Sequence, residues 1–204
     1  EAHERSLNID FILGLLKGVL ERRPDFRVIV SSATINVEVF SAYFDGCPIV
    51  SIDAPMYPVE LRWEPPEAEG DLAALVDKVA EIVFRIEKKG GPGDVLVFLQ
   101  GELPIKECLQ RLADGDPDER LQLLPLYARL SHEEQHRVFN AFPGKRKVIV
   151  ATDIAETSVT IDGVAHVIDS GLAKLNHYSP KTFTESLVEV PVSRASCNQR
   201  RGRA

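Results

Sequence analysis

The chain has 204 residues, of which 44% are hydrophobic and 27% are charged; this fits a soluble globular protein of one large domain or two small ones. No apolar stretch approaches the roughly 20 residues that cross a bilayer, so we expect no membrane association. The formal net charge of −7 disfavours a protein that holds nucleic acid by bulk charge.

Charged residues and cysteines are unevenly placed along the chain. Residues 141–204 contain nine Lys or Arg and six Asp or Glu. A local basic path over an acidic body is therefore one interpretation, and a solvated charged face is the other. The cysteines match neither a zinc pattern nor a disulfide framework, so we expect a reducing, cytoplasmic location; they are Cys47, Cys108 and Cys197.

The N-terminal third of the chain predicts part of an α/β domain. Apolar residues at helical spacing indicate a first helix, which Pro24 ends. A run of β-branched and aromatic residues then predicts a buried strand that leads into Ser31. In chain order we expect a helix, a strand, a helix and two short strands, over 8–22, 26–30, 36–44, 49–52 and 58–63.

A polar, proline-containing segment over 65–70 is interpreted as a linker. After it, helical and strand patterns alternate, which implies parallel sheets in an α/β fold. The capping box that starts at Ser131 predicts a helix from residue 132. The expected helices cover 72–86, 103–113 and a stretch from 132, and the expected strands cover 94–99, 121–126, 147–151 and 164–168.

The pattern changes after Gly171. Residues 172–178 and 184–190 are predicted to pair antiparallel as a β-hairpin that projects from the sheet. Arg194 to Ala204 lacks strand character, so we expect a helix to begin there.

Four short motifs follow one another along the chain. Each has an ordinary explanation by itself: a frayed terminus, a helix N-cap, a polar turn after a strand and a basic helix start. Together and in this order they resemble motifs II, III, V and VI of the DEAH-box helicases, and they are similar to those of the bacterial HrpA-like group. The motifs are Glu1-Ala2-His3, Ser31-Ser32-Ala33-Thr34, Ala151-Thr152-Asp153-Ile154-Ala155-Glu156-Thr157-Ser158 and Gln199-Arg200-Arg201-Gly202-Arg203.

The resemblance covers nearly the whole chain and implies two RecA-like lobes of the P-loop NTPase fold. Residues 1–64 would be the C-terminal part of the first lobe, and 71–204 a second lobe that lacks its end. The whole protein would be a monomer that uses ATP and Mg²⁺ to move along single-stranded or partly duplex RNA and unwind it. No Gly-x-x-x-x-Gly-Lys-Thr/Ser loop is present, so we expect the isolated chain to be inactive.

The resemblance also implies roles for single residues. ATP hydrolysis needs a metal, a polarised water and counter-charges for the phosphates. By position in the motifs, the catalytic set is Glu1, His3, Ser32, Thr34, Gln199 and Arg203, with Glu1 also at the metal. Ser158, Asp162 and Arg200 would lie at the nucleotide.

Backbone amides and small hydroxyl groups at strand ends suit contacts to phosphate oxygens. Val97-Phe98-Leu99-Gln100-Gly101-Glu102 resembles motif IV of the same family, and the resemblance assigns Gly101, Thr152 and Thr160 to the nucleic-acid backbone. Asp153 departs from the Asn that is usual in the family, and its carboxylate would repel a phosphate. Two alternatives stay open: a non-catalytic module that binds nucleic acid or protein, and a translocase that acts on DNA. Protein activators are not identified by the sequence.

Overall fold

The computed structural model describes residues 2, 6–32, 37–52, 58–157 and 160–204, with no side chain at Thr157. The chain divides into two compact units, Glu1–Pro58 and Val59–Ala204. In the described ranges, no helix is long and apolar enough to cross a membrane.

The first unit contains two helices, α1 (Leu7–Arg22) and α2 (Val37–Tyr43). Ser6 caps α1, because its hydroxyl accepts a hydrogen bond from the amide of Ile9 at 3.3 Å. Lys17 joins the two helices by donating to the carbonyl of Tyr43 at 2.8 Å. Neither helix has a buried residue, so this unit has little core of its own.

The strands predicted for the N-terminal third of the chain are wrong. The described residues over 26–30, 49–52 and 58–63 form no strand, although their composition favours one. A strand needs a neighbour that pairs with its backbone groups, and composition cannot supply that neighbour. Ile29 illustrates the outcome, since 94% of its surface is exposed.

The second unit is built on a parallel sheet, as the sequence predicted. Its strands are β1 (Asp94–Phe98), β2 (Leu121–Leu126), β3 (Arg146–Ala151) and β4 (Val164–Asp169). They lie in the order β2-β3-β1-β4, and every neighbouring pair is parallel.

Side chains alternate between the two faces of the sheet, and each face packs into a separate hydrophobic core. On one face, Val95, Val97 and Leu99 of the β1 segment pack with α3 (Leu72–Lys89) and α4 (Glu102–Asp114). On the other face, Leu96 and Phe98 pack with a layer of short helices. Successive strand side chains point to opposite faces, so a sheet covered on both sides requires the continuous apolar run that β1 has.

Helices α3 and α4 are bounded by residues suited to helix ends. The side chain of Asp71 caps α3 by accepting from the amide of Ala73 at 2.9 Å. Gly90 ends α3 in the left-handed conformation, at φ 66°. Within α4, burial raises the pKa of the Cys108 thiol to about 12, so this cysteine is an unreactive core residue.

Three short helices and a hairpin complete the second unit. Helix α5 (His132–His136) begins with the predicted capping box of Ser131 and Glu134, and a 3₁₀ turn follows it. Strands β5 (Leu172–Ser179) and β6 (Thr184–Pro191) form the predicted antiparallel hairpin. The other two helices are α6 (Ile154–Thr157) and α7 (Arg194–Arg201), and α7 begins where the sequence predicted a helix.

The turn before β1 yields a prediction about stability. Gly93 has φ +94°, and an added Cβ would lie 2.3 Å from the Cβ of Ala165. We expect Gly93→Ala to destabilise the chain by about 2 kcal/mol, because it combines backbone strain with overpacking. Gly91→Ala is the matched control, since a Cβ there meets nothing within 4 Å. Equal thermal unfolding midpoints for the two variants would contradict the prediction.

Candidate functional site

The predicted site residues of the first unit fall on two segments that meet. Ala2 is buried, and its amide donates to the carbonyl of Ser31 at 3.3 Å. This bond brings the first motif against the second. Ser32 is partly exposed beside it. Glu1, His3 and Thr34 lie outside the described residues, as does Ser158 of the second unit.

In the second unit, Gly101 and Thr152 lie at one edge of the sheet, whereas Asp162 precedes the start of β4 at the opposite edge. Backbone hydrogen bonds continue past the strands: the amide of Leu99 donates to Ala151 at 2.9 Å, and the amide of Thr152 donates to Leu126 at 3.1 Å. Gly101 and Thr152 therefore follow neighbouring parallel strands at their carboxyl ends. Ligands of open α/β sheets bind at this edge.

Gly101 is the N-cap residue of helix α4, and no side chain caps that helix end. A Cβ added at Gly101 would lie 3.4 Å from both Cδ and Nζ of Lys174, so an ammonium group stands beside a helix N-terminus. Both features favour an anion. Sequence reasoning missed Lys174, because only the path of β5 brings it next to Gly101.

The loop after β3 turns directly into helix α6. The carbonyl of Thr152 accepts from the amide of Ala155 at 3.2 Å, and that of Asp153 accepts from Glu156 at 2.8 Å. Thr152 is partly exposed, and Asp153, Thr160 and Asp162 are exposed. These hydroxyl and carboxylate groups are therefore open to solvent.

Helix α7 carries the basic motif, and Ser193 caps it by accepting from the amide of Ser196 at 3.1 Å. Gln199 is partly exposed on this helix. Arg200, by contrast, is 1% exposed. Its observed partners are protein groups, and the nucleotide-binding role assigned to it stays a prediction.

Arg200 lies between two carboxylates on different elements. Its Nε donates to Oε1 of Glu156 at 2.7 Å, and Nη1 donates to Oδ1 of Asp169 at 2.6 Å. Nη1 also lies 3.3 Å from the carbonyl oxygen of Leu172. The Cζ atom stands 4.8 Å from the ring centre of Phe98, a cation–π geometry.

The electrostatics of this cluster favour a permanent charge. Burial alone would lower the pKa of the Arg200 guanidinium, but the attraction and hydrogen bonds of Asp169 and Glu156 outweigh burial and raise it above its ordinary value. An arginine is charged in either case, so the relevant consequence is structural: the cation stays paired in a water-poor site.

Arg203 contacts the same residue by a different group. Its Nε donates to the backbone carbonyl of Glu156 at 2.9 Å, and Nη2 donates to that oxygen as well. Glu156 therefore receives Arg200 on its side chain and Arg203 on its backbone. Sequence reasoning missed Glu156 and Asp169 as partners; the only available signal was that each acid follows a predicted buried strand.

The structure leaves the predicted metal site undetermined. Glu1, the residue assigned to Mg²⁺, is not among the described residues. Across the ranges that are described, no three His, Cys, Asp or Glu side chains are grouped to hold a metal ion. Mg²⁺ therefore stays a prediction from the resemblance.

Comparison with known proteins identifies the family. Residues 74–204 match the helicase conserved C-terminal domain. The chain is 49% identical to the ATP-dependent RNA helicase HrpA of Borreliella burgdorferi and 44% identical to HrpA of Escherichia coli, aligning in full with 25% and 16% of those proteins. It is 45% identical to the Schizosaccharomyces pombe pre-mRNA-splicing factor ATP-dependent RNA helicase prp22, covering 18% of it.

A solved structure agrees with these relatives. The crystal structure of the Escherichia coli DExH-box NTPase HrpB superposes with a TM-score of 0.84 and 34% sequence identity, covering 98% of this chain and 24% of that one. The RecA-like α/β fold predicted from the sequence is thereby confirmed. The chain spans a quarter or less of the length of the relatives named here. It belongs to the helicase conserved C-terminal domain family, in the form found in HrpA-type DEAH-box helicases.

Proposed function

We propose that the whole protein is an ATP-dependent RNA helicase that couples ATP hydrolysis to movement along single-stranded RNA and to duplex unwinding. One observation carries this proposal: both Arg200 and Arg203 of the basic motif contact Glu156, which lies in helix α6, between Thr152 and Thr160 in the sequence. The residues assigned to the nucleotide and those assigned to nucleic acid are thus parts of one connected structure. The relatives named above are ATP-dependent RNA helicases, which supports RNA as the substrate.

For the nucleotide, we propose that Gln199 orients the attacking water or the γ-phosphate and that Arg203 neutralises charge in the transition state. Ser158 and Asp162 act near the nucleotide. In the first unit, Glu1 polarises water at Mg²⁺, while three further residues link hydrolysis to movement: His3, Ser32 and Thr34.

For the nucleic acid, we propose that the backbone amide of Gly101 and the hydroxyls of Thr152 and Thr160 hold phosphate oxygens. Lys174 adds a positive charge beside Gly101. Such contacts position a strand without reading its bases. An overall charge of −7 is compatible with this mode of binding, because only the local field near the phosphates matters.

The first prediction concerns Arg203 in the whole protein. We expect Arg203→Ala to lower RNA-stimulated kcat by at least about 100-fold, since a transition-state arginine contributes that much or more. The measurement is the rate of phosphate release in the presence of RNA, in the presence of single-stranded DNA and without nucleic acid. Arg201→Ala is the control, because Arg201 is exposed in the same motif. Stimulation by DNA alone would favour the DNA translocase, and no turnover at all would favour a binding module.

The second prediction concerns Asp153, whose exposed carboxylate lies in the loop that we assign to phosphates. We expect Asp153→Asn to tighten RNA binding about two- to fivefold at low salt, because it removes a repulsion that solvent and ions partly screen. Fluorescence anisotropy at two salt concentrations measures the effect. Asp118 precedes β2 at the opposite edge of the sheet. The control substitution Asp118→Asn should therefore leave the Kd for RNA unchanged. Weaker binding of Asp153→Asn would show that the carboxylate contributes a contact.

The third prediction concerns the 204-residue chain alone. It lacks the glycine-rich phosphate loop, so we expect neither tight ATP binding nor phosphate release from it. Calorimetric titration and a phosphate-release assay test this. The same chain carrying Arg203→Ala controls for contaminating enzymes: turnover that this substitution abolishes would contradict the prediction.

A further inference from the structure

Helix α7 is held by one residue in the middle of its basic motif. Arg200 reaches Glu156 in α6, Asp169 at the end of β4 and the carbonyl of Leu172 at the start of β5. The side chains of Glu156 and Asp169 are 10% and 24% exposed. A buried charge that loses a partner is strongly destabilised, so this arrangement permits little rotation or sliding of α7.

Arg203 is tied to Arg200 through the backbone as well as through Glu156. The amide of Arg203 donates to the carbonyl of Arg200 at 3.1 Å. The two side chains then diverge: Arg200 takes the carboxylate of Glu156, and Arg203 takes its carbonyl oxygen. A displacement of Glu156 would therefore move a hydrogen-bond acceptor of both arginines.

Glu156 itself belongs to α6, which directly follows the loop assigned to nucleic acid. Its amide donates to the carbonyl of Asp153 at 2.8 Å, so it is bonded to the residue next to Thr152. An RNA strand that binds Thr152 therefore contacts the same short segment that holds the arginines. The path from Thr152 to Arg203 runs through Asp153 and Glu156.

We propose that Arg200 is a positioning residue, which with Glu156 and Asp169 holds Arg203 in place and transmits RNA occupancy of the loop after β3 to Arg203. This inference rests on the proposed helicase function. It differs from the role that the sequence assigned to Arg200, a direct contact to the nucleotide. Burial to 1% exposure and engagement by two carboxylates favour the positioning role.

The test compares substitutions in the whole protein. Arg200→Met should lower RNA-stimulated kcat about 100-fold, because small misplacement of a catalytic group has effects of that size. The KM for RNA should change less than about threefold, since the loop keeps its phosphate-binding groups. Glu156→Gln keeps an acceptor for Nε and should retain more activity than Glu156→Ala. Equal losses of activity in those two variants would show that the hydrogen bond from Arg200 to the Glu156 side chain does not position Arg203.

A triple variant separates positioning from stability. Glu156→Met, Arg200→Met and Asp169→Asn together remove every charge of the cluster. The substitution Asp169→Asn preserves an acceptor oxygen for the amide of Gly171, which donates to Oδ1 of Asp169 at 2.8 Å. Replacing a buried ionic cluster by apolar groups is often neutral for stability. We expect near-normal thermal unfolding with kcat still about 100-fold low. Recovery of turnover together with stability would overturn the proposal.

A second ion pair supplies the matched control. Arg146 is partly buried, with 10% of its side chain exposed, and donates to Glu87 at 2.7 Å, but it begins β3 at the opposite edge of the sheet. Glu87→Gln should lower the unfolding temperature without changing the ratio of RNA-stimulated to unstimulated kcat. If that ratio fell as far in Glu87→Gln as in Arg200→Met, the loss of turnover in Arg200→Met would be explained by general destabilisation.

Amide hydrogen exchange of α7 gives a readout that does not depend on catalysis. In Arg200→Met and in the triple variant, α7 should exchange at least about tenfold faster than in the wild type, while α3 is unchanged. Lost turnover with unchanged exchange would show that Arg200 contacts the nucleotide directly. If the wild type shows no RNA-stimulated turnover, the proposed function fails, and the exchange of α7 still decides whether the cluster positions the helix.

Discussion

A single buried guanidinium holds together the parts of the second unit that carry its predicted chemistry. Arg200 is desolvated, stacked over Phe98 and paired with carboxylates from α6 and β4. A charge in such a place is tolerated only while its partners remain. Because α7 cannot shift without breaking these bonds, the positions of Gln199 and Arg203 follow from the cluster. The cluster is therefore a constraint on geometry more than a source of stability.

The parallel sheet provides the frame on which this constraint acts. Its two hydrophobic cores fix the strands from both faces, and burying each large apolar side chain contributes roughly 1.5–3 kcal/mol. All four strands end at the same edge, where backbone groups run out of ladder partners. Gly101 and Thr152 stand there beside polar side chains. A rigid interior thus presents exposed amides and hydroxyls to ligands, with their spacing set by the strands.

Sequence patterns predicted the second unit better than the first. In both units the predicted helices were found, because a helix satisfies its own backbone groups, whereas the short helix α6 was not predicted. The strands of the second unit, such as β1 and β3, were found because each has a neighbour within the chain. Phe26–Val30 has a composition like that of those strands but forms none. Strand formation is decided by a partner, and local composition carries no information about one.

The sequence by itself determined the order of the elements, the position of the four motifs and the resemblance to the DEAH-box helicases, since these depend on residues close together along the chain. The tertiary structure decided which residues of the motifs contact each other. Glu156 and Asp169 lie 44 and 31 residues from Arg200, and Lys174 reaches Gly101 only through the path of β5. Arg200 becomes buried and paired with carboxylates only when elements distant in the sequence pack together. The spacing of residues within the basic motif does not predict this burial.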